Sequence, residues 1–171
     1  MLNMLIKDWK NRIDKQFEAG LWVDGISGTY ELTNFEYSIL PVLDSLVEAP
    51  NREEIIERNF VIERSKLVAN YLLDDMNSRR ASFVNNYDGE DNHCISYFHH
   101  YIRDNSHPSH CMNVYVRSMN YDTNFVFDNQ TFCLAYWAIH NLLTLKYVLE
   151  PTTYSYIRVF VFSLHKFKEN Q

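Results

Sequence analysis

At 171 residues the chain has the length of one domain with a sizeable core, and its 46% hydrophobic and 15% aromatic content excludes a disordered polypeptide. The net charge of -6 lacks the basic stripes needed to bind polymeric nucleic acid, although a few arginines can still hold one small phosphate. Cys94, Cys111 and Cys133 follow no disulfide spacing and suit a reducing cytoplasm, and no secretory leader pattern opens the chain.

Leu2, Leu5, Ile6, Trp9, Ile13 and Phe17 recur at helical spacing, so a helix is expected over 1–19, with Gly20 as its stop. Residues 21–42 are rich in strand formers, and Gly25 and Gly28 mark a turn inside them, which predicts paired strands. After Pro50, Asn51 reads as a cap for a helix over 52–76, broken near Asn59. Ile55, Ile56, Phe60, Ile62, Leu67, Val68, Tyr71 and Leu72 are its expected inward face. Strands are then predicted over 81–87 and 95–103, separated by an Asp88–Asn92 turn, and a hairpin loop at 104–110 leads into a strand ending at Arg117-Ser118. A long apolar helix opened by Asp128 follows. Its most apolar run, 132–149, carries His140, Asn141 and Lys146, which makes it a buried helix and not a membrane span. Glu150-Pro151 breaks it, and 154–164 is the final strand. This order predicts an α+β fold with one mixed sheet covered by helices.

The chemistry concentrates at a few positions. Arg117-Ser118 joins a planar donor fork to a hydroxyl at a strand end, a combination suited to a phosphate monoester or to an ordinary surface pair. Arg79-Arg80 follows a helix C-terminus and reads as a dipole-favoured cap or as a second phosphate clamp. Cys94 precedes a strand and is either an activated nucleophile or a small buried apolar group. Asp128 either caps its helix or accepts from the exocyclic amine of a heterocycle. His93, His99, His100, His107 and His110 lack metal-ligand spacing, so no metal is expected.

Taken in order, these segments resemble the thymidylate synthase and deoxycytidylate hydroxymethylase superfamily. Asp75-Met76-Asn77-Ser78-Arg79-Arg80 is similar to the family's Asp-Ser-Arg-Arg segment, and Tyr115-Val116-Arg117-Ser118-Met119-Asn120 to its Tyr-Gln-Arg-Ser-x-Asp. Cys94 stands where the nucleophilic cysteine would be, and Asp128 where synthases carry an Asn and cytosine-specific members an Asp. Ser163-Leu164-His165-Lys166-Phe167 is similar to Asp-Thr-His-Leu-Tyr, a ribose-contacting segment.

The resemblance implies a single thymidylate synthase-like domain over 1–171, with a mixed β-sheet covered by helices and a long buried central helix. It implies a cytoplasmic homodimer acting on C5 of a pyrimidine nucleotide monophosphate, dCMP before dUMP. Cys94 would be the catalytic nucleophile and 5,10-methylenetetrahydrofolate the one-carbon donor. Arg117 and Ser118 would hold the phosphate together with the partner's Arg79 and Arg80, while Asp128 selects the base and His165 contacts the ribose. No membrane or polymeric nucleic-acid partner is expected. The departures are Ile95 after the cysteine, Val116 before the arginine, Phe167 for the tyrosine, a short 41–64 region and an early end after Phe167. They motivate an alternative: a catalytically degenerate nucleotide-binding or regulatory homologue without folate chemistry. A bare structural dimer of the same fold is the third reading.

Overall fold

The computed structural model describes residues 2–25, 28–41, 52–84, 95–103, 108–149 and 155–168. Helix α1 spans Leu2–Glu18 and presents Trp9, Ile13 and Phe17, four residues apart, to the core. It stops where Gly20 takes a φ of +71° and the Leu21 N–H closes back on the Gln16 carbonyl at 3.0 Å, a left-handed turn that glycine adopts without steric cost. Strands β1 (Val23–Asp24) and β2 (Thr29–Ile39) pair antiparallel, as the two glycines predict.

Helix α2 runs unbroken over Arg52–Asp74, passing the expected break at Asn59. Its buried stripe is Glu57, Val61, Ser65, Val68, Ala69 and Leu72, whereas Ile55, Ile56, Leu67 and Tyr71 are half-exposed. The apolar residues of α2 are spread over more than one face. Only the stripe that meets the neighbouring helix and sheet is therefore covered, and the inward face inferred from sequence was wrong at these four positions. Strand β3 (Ser82–Val84) follows, then β4 (Ile95–Arg103) on its predicted span, then β5 (Ser109–Asn120). The Asp88–Asn92 turn, the Asn51 cap and the Glu150-Pro151 break fall outside the described residues.

Helix α3 covers Phe125–Leu143, three residues earlier than expected at its start. The Asn120 carboxamide oxygen accepts from the Asp122 and Thr123 N–H groups at 3.0 and 3.3 Å, which turns the chain at once after β5. Asn124 is the N-cap position, so Asp128 is inside the first turn and does not cap the helix. Its carboxylate still meets the positive end of the helix dipole. Strand β6 (Ile157–Phe167) runs parallel to β5 and antiparallel to β2, and α3 is the crossover between the parallel pair. The fold is α+β, with a six-stranded mixed sheet in the order β1-β2-β6-β5-β4-β3. Among the described residues no helix is long and apolar enough to cross a membrane.

Four adjacent strands change phase at one level. Buried residues alternate through Met112, Val114 and Val116 and then jump to Met119 in β5. They alternate through Ile157, Val159 and Val161 and jump to Leu164 in β6. In β2 the jump lies between Leu32 and Tyr37, where Asn34 has a φ of +53°; in β4 it coincides with a register slip between Ile95 and Tyr97. Val116 pairs with Val161, and Met119 with Leu164, so the irregularities stack across the sheet. Beyond this level Ser118, Asn120, Ser163 and His165 alternate with core residues and turn away from the helices.

The helix-covered face holds a main core that includes Ile13, Tyr37, Phe98, Met112, Phe132 and Tyr136. A smaller core, separate from it, holds Val68, Ala69, Leu72, Ala81, Ile102, Ile139 and Leu143.

Candidate functional site

The phase change brings together two segments far apart in sequence. Ser118 Oγ lies 3.1 Å from His165 Nδ1, on neighbouring parallel strands, and both residues are half-buried. The Tyr121 N–H donates to the His165 carbonyl at 2.9 Å, which hangs the turn into α3 on β6. Burial pushes the His165 imidazole below its ordinary pKa, opposed by the Glu31 carboxylate, a backbone hydrogen bond at Ser163 and the Asp122 carboxylate. The ring is therefore neutral near pH 7. Glu31, opposite His165 in the β2–β6 register, accepts from the Thr29 hydroxyl at 3.4 Å. Gly25 approaches the Glu31 carboxylate so closely that a Cβ there would sit 2.1 Å from Oε1, so glycine at this turn keeps room for the acid.

Arg117 is exposed at the level of the phase change, next to Ser118. Asp128 is 5% exposed, and its charge bears on Tyr37, a core residue. Tyr37 donates its hydroxyl hydrogen to Asn129 Oδ1 at 3.0 Å, and Asn129 Nδ2 donates to the Phe125 carbonyl at 2.6 Å. Asp128 is thus placed on the helix-covered side, while Ser118 and His165 face away from it.

Arg79 and Arg80 are exposed in the connection from α2 to β3. Ala81, next in the chain, accepts from the His100 N–H at 2.8 Å, and Tyr101 pairs with Cys111. Cys111 is six residues before Arg117 on β5, about 20 Å at the rise of a strand. Within one chain, the two arginines and the Arg117-Ser118 pair therefore belong to opposite ends of the sheet. Cys94 falls outside the described residues; Ile95 pairs with Val116.

Three features were not singled out from the sequence. The first is the Tyr37–Asn129 link. The second is a row of aromatic rings on the sheet face opposite the helices. Tyr97 meets Tyr115 at 5.4 Å between ring centroids, Tyr115 stacks on Phe160 at 4.7 Å, and Phe162 is 54% exposed. The alternation of Tyr97, His99 and Tyr101 was the available signal for this face. The third is the joining of His100 and His110, weighed in the sequence only as metal ligands, with His140 in one buried cluster. Among the described residues no group of three or more His, Cys, Asp or Glu is arranged to hold a metal ion.

Comparison with models of known protein families and with curated protein sequences gives no match.

Proposed function

We propose that this chain is a thymidylate synthase-like, homodimeric protein that binds a pyrimidine nucleoside monophosphate and modifies C5 of its base, dCMP in preference to dUMP. The observation that carries the proposal is the 3.1 Å contact between Ser118 and His165. The resemblance gives these two residues, 47 positions apart, to the phosphate and the ribose of one nucleotide. With the Ser118 hydroxyl donating to Nδ1, the neutral ring presents an Nε2–H donor to a sugar hydroxyl. Arg117, beside Ser118, supplies a bidentate fork for the phosphate.

The roughly 20 Å between Arg117 and the Arg79-Arg80 end of one sheet supports the reading that those arginines serve a second subunit's nucleotide. The open aromatic face around Tyr115 and Phe160 supports a second copy of this chain as its cover. In the catalytic reading the Cys94 thiolate would add to C6 of the pyrimidine and make C5 a nucleophile; once C5 has bonded to an electrophile, loss of its original proton would expel the thiolate and restore the C5–C6 double bond.

A cleft of about 470 Å³ is lined by Phe17, Glu18, Trp22, Tyr30, Lys166 and Phe167, next to His165 in β6. Its aromatic walls suit a flat bicyclic ring, with Lys166 and Glu18 supplying one charge of each sign, so these residues would hold 5,10-methylenetetrahydrofolate. That group, when bound, supplies a one-carbon unit. The buried carboxylate of Asp128 bears on a core tyrosine on the face away from Ser118 and His165, so the preference for dCMP over dUMP rests on the resemblance and not on this geometry.

Calorimetry with dCMP and dUMP, paired with tritium release from C5, tests both readings. Arg117→Ala and Ser118→Ala are expected to weaken nucleotide binding by roughly 10- to 100-fold. Release of tritium that a Cys94→Ser variant abolishes supports the enzyme, while tight binding without release supports the binder. Affinity for neither nucleotide refutes both. Phe160→Glu is expected to yield a monomer by sedimentation and to weaken binding with it.

A further inference from the structure

Along β4 the inward residues run Phe98, His100, Ile102, from the main core, through a histidine, to the smaller core. On α3 the same passage runs from Tyr136 through Ile139 to His140, and β5 contributes His110 just before Met112. His100 and His110 are completely buried, and His140 is 8% exposed. His100 Nδ1 lies 3.1 Å from His110 Nε2; His110 stacks on Tyr136 at 4.3 Å; the Tyr136 hydroxyl lies 3.2 Å from His140 Nδ1. A seam of polar rings therefore divides the two hydrophobic cores.

The hydrogen between His100 and His110 belongs to one ring or the other. In either arrangement one neutral ring must carry its N–H on an outer nitrogen, and both outer nitrogens, His100 Nε2 and His110 Nδ1, are buried with no hydrogen-bond partner among the described residues. An added proton must go to the other outer nitrogen, creating a buried cation with a second unpaired donor. No described acid lies in the cluster to compensate it. The ionisable groups bearing on it are His99, on the opposite face of β4, His140 and Tyr136 from α3, and Cys111 from β5. Arg103 and Arg158 bear on Cys111, adding positive charge beyond it. From α2 the smaller core takes Val68, Ala69 and Leu72, and the same buried stripe carries the neutral Ser65 and, further from it, Glu57.

We propose that the His100–His110–His140 seam is an acid-operated latch, holding the smaller core and the Arg79-Arg80 connection against the sheet at neutral pH and releasing them on protonation. The backbone N–H of His100 donates to the Ala81 carbonyl, so the strand that carries this ring also holds that connection. Burial pushes His100 down to about 3 and His110 well below the ordinary value of 6.5, and lowers His140 too, so the folded seam binds fewer protons than the opened one. Opening is favoured by up to tenfold per pH unit for each such histidine as pH falls below the ordinary value. The inference does not depend on the nucleotide reading.

Hydrogen–deuterium exchange of the full chain at about pH 7.5 and about pH 5.5, corrected for intrinsic rates, reads the latch by region. Protection over 65–84 and around His100 is expected to fall by tenfold or more at the lower pH and to lie below that of 112–119 and 157–164, which exchange through global unfolding. His110→Phe, which keeps a ring against Tyr136, is expected to flatten the pH dependence of 65–84, and His140→Phe serves if that variant does not fold. Unchanged protection of 65–84 in the unaltered chain, or protection of 65–84 equal to that of 112–119 at both pH values, overturns the proposal.

Discussion

Tyr37→Phe removes a side-chain hydrogen bond that fastens β2 to the N-terminal half of α3. The ring is 2% exposed and packed by Trp9, Phe35 and Phe125, with centroids at 5.4, 5.7 and 5.6 Å, so the phenylalanine keeps the packing. What is lost is the 3.0 Å hydrogen bond to Asn129 Oδ1, on a residue with no exposure. Burial, reinforced by Asp128, raises the Tyr37 pKa far above its ordinary value, so the hydroxyl remains a donor throughout the working range. A buried acceptor stripped of its donor costs about 1–3 kcal/mol, here about 2 kcal/mol, which in a chain of this length lowers Tm by roughly 4–8 °C. Urea unfolding should show the lower midpoint with an unchanged slope. Adding Asn129→Ala to Tyr37→Phe should cost less than the two single losses summed, because both remove the same bond. A Tyr37→Phe chain as stable as the original would refute this account of how α3 is anchored.

Phe132→Ala removes a fully buried ring that meets Phe98 edge-on at 6.1 Å, and should cost about 3–5 kcal/mol in the same urea assay. Gly20→Ala meets no neighbouring atom but forces a side chain into a φ of +71°, so a loss of about 1 kcal/mol is expected with no change in fold by circular dichroism. Global stability should fall as pH drops below the ordinary histidine value of 6.5, because the unfolded chain takes up protons that buried His100 and His110 refuse. The slope should approach about 1.4 kcal/mol per pH unit for each proton, and a stability flat between about pH 6.5 and about pH 5 would contradict the neutral pair.

Local pattern carried much of this fold. Helical spacing over Trp9, Ile13 and Phe17 identified α1 and its inward face together, and the strand formers between turn signals placed β4 on the span it occupies. The same pattern failed on α2, where apolar residues outnumber the positions that a neighbour covers, and at Asp128, where the Asx turn at Asn120 starts the helix before the acid. At the candidate site, Ser118 was legible at a predicted strand end, while His165 fell just past the predicted final strand and inside the observed one. Their contact was not legible, because it depends on β5 and β6 lying side by side and changing phase together.

The sequence by itself determined which segments are helix and which are strand, since backbone preference and apolar periodicity act within a few residues. It also determined the chemical inventory: an acidic chain with an Arg-Ser pair, a double arginine and several histidines. Only the tertiary structure decided which face of each element is buried, that Asp128 bears on the core, and that Arg79-Arg80 and Arg117 occupy opposite ends of one sheet. Those outcomes depend on strand order and register, which are set by pairings between residues tens of positions apart, and no local preference encodes them.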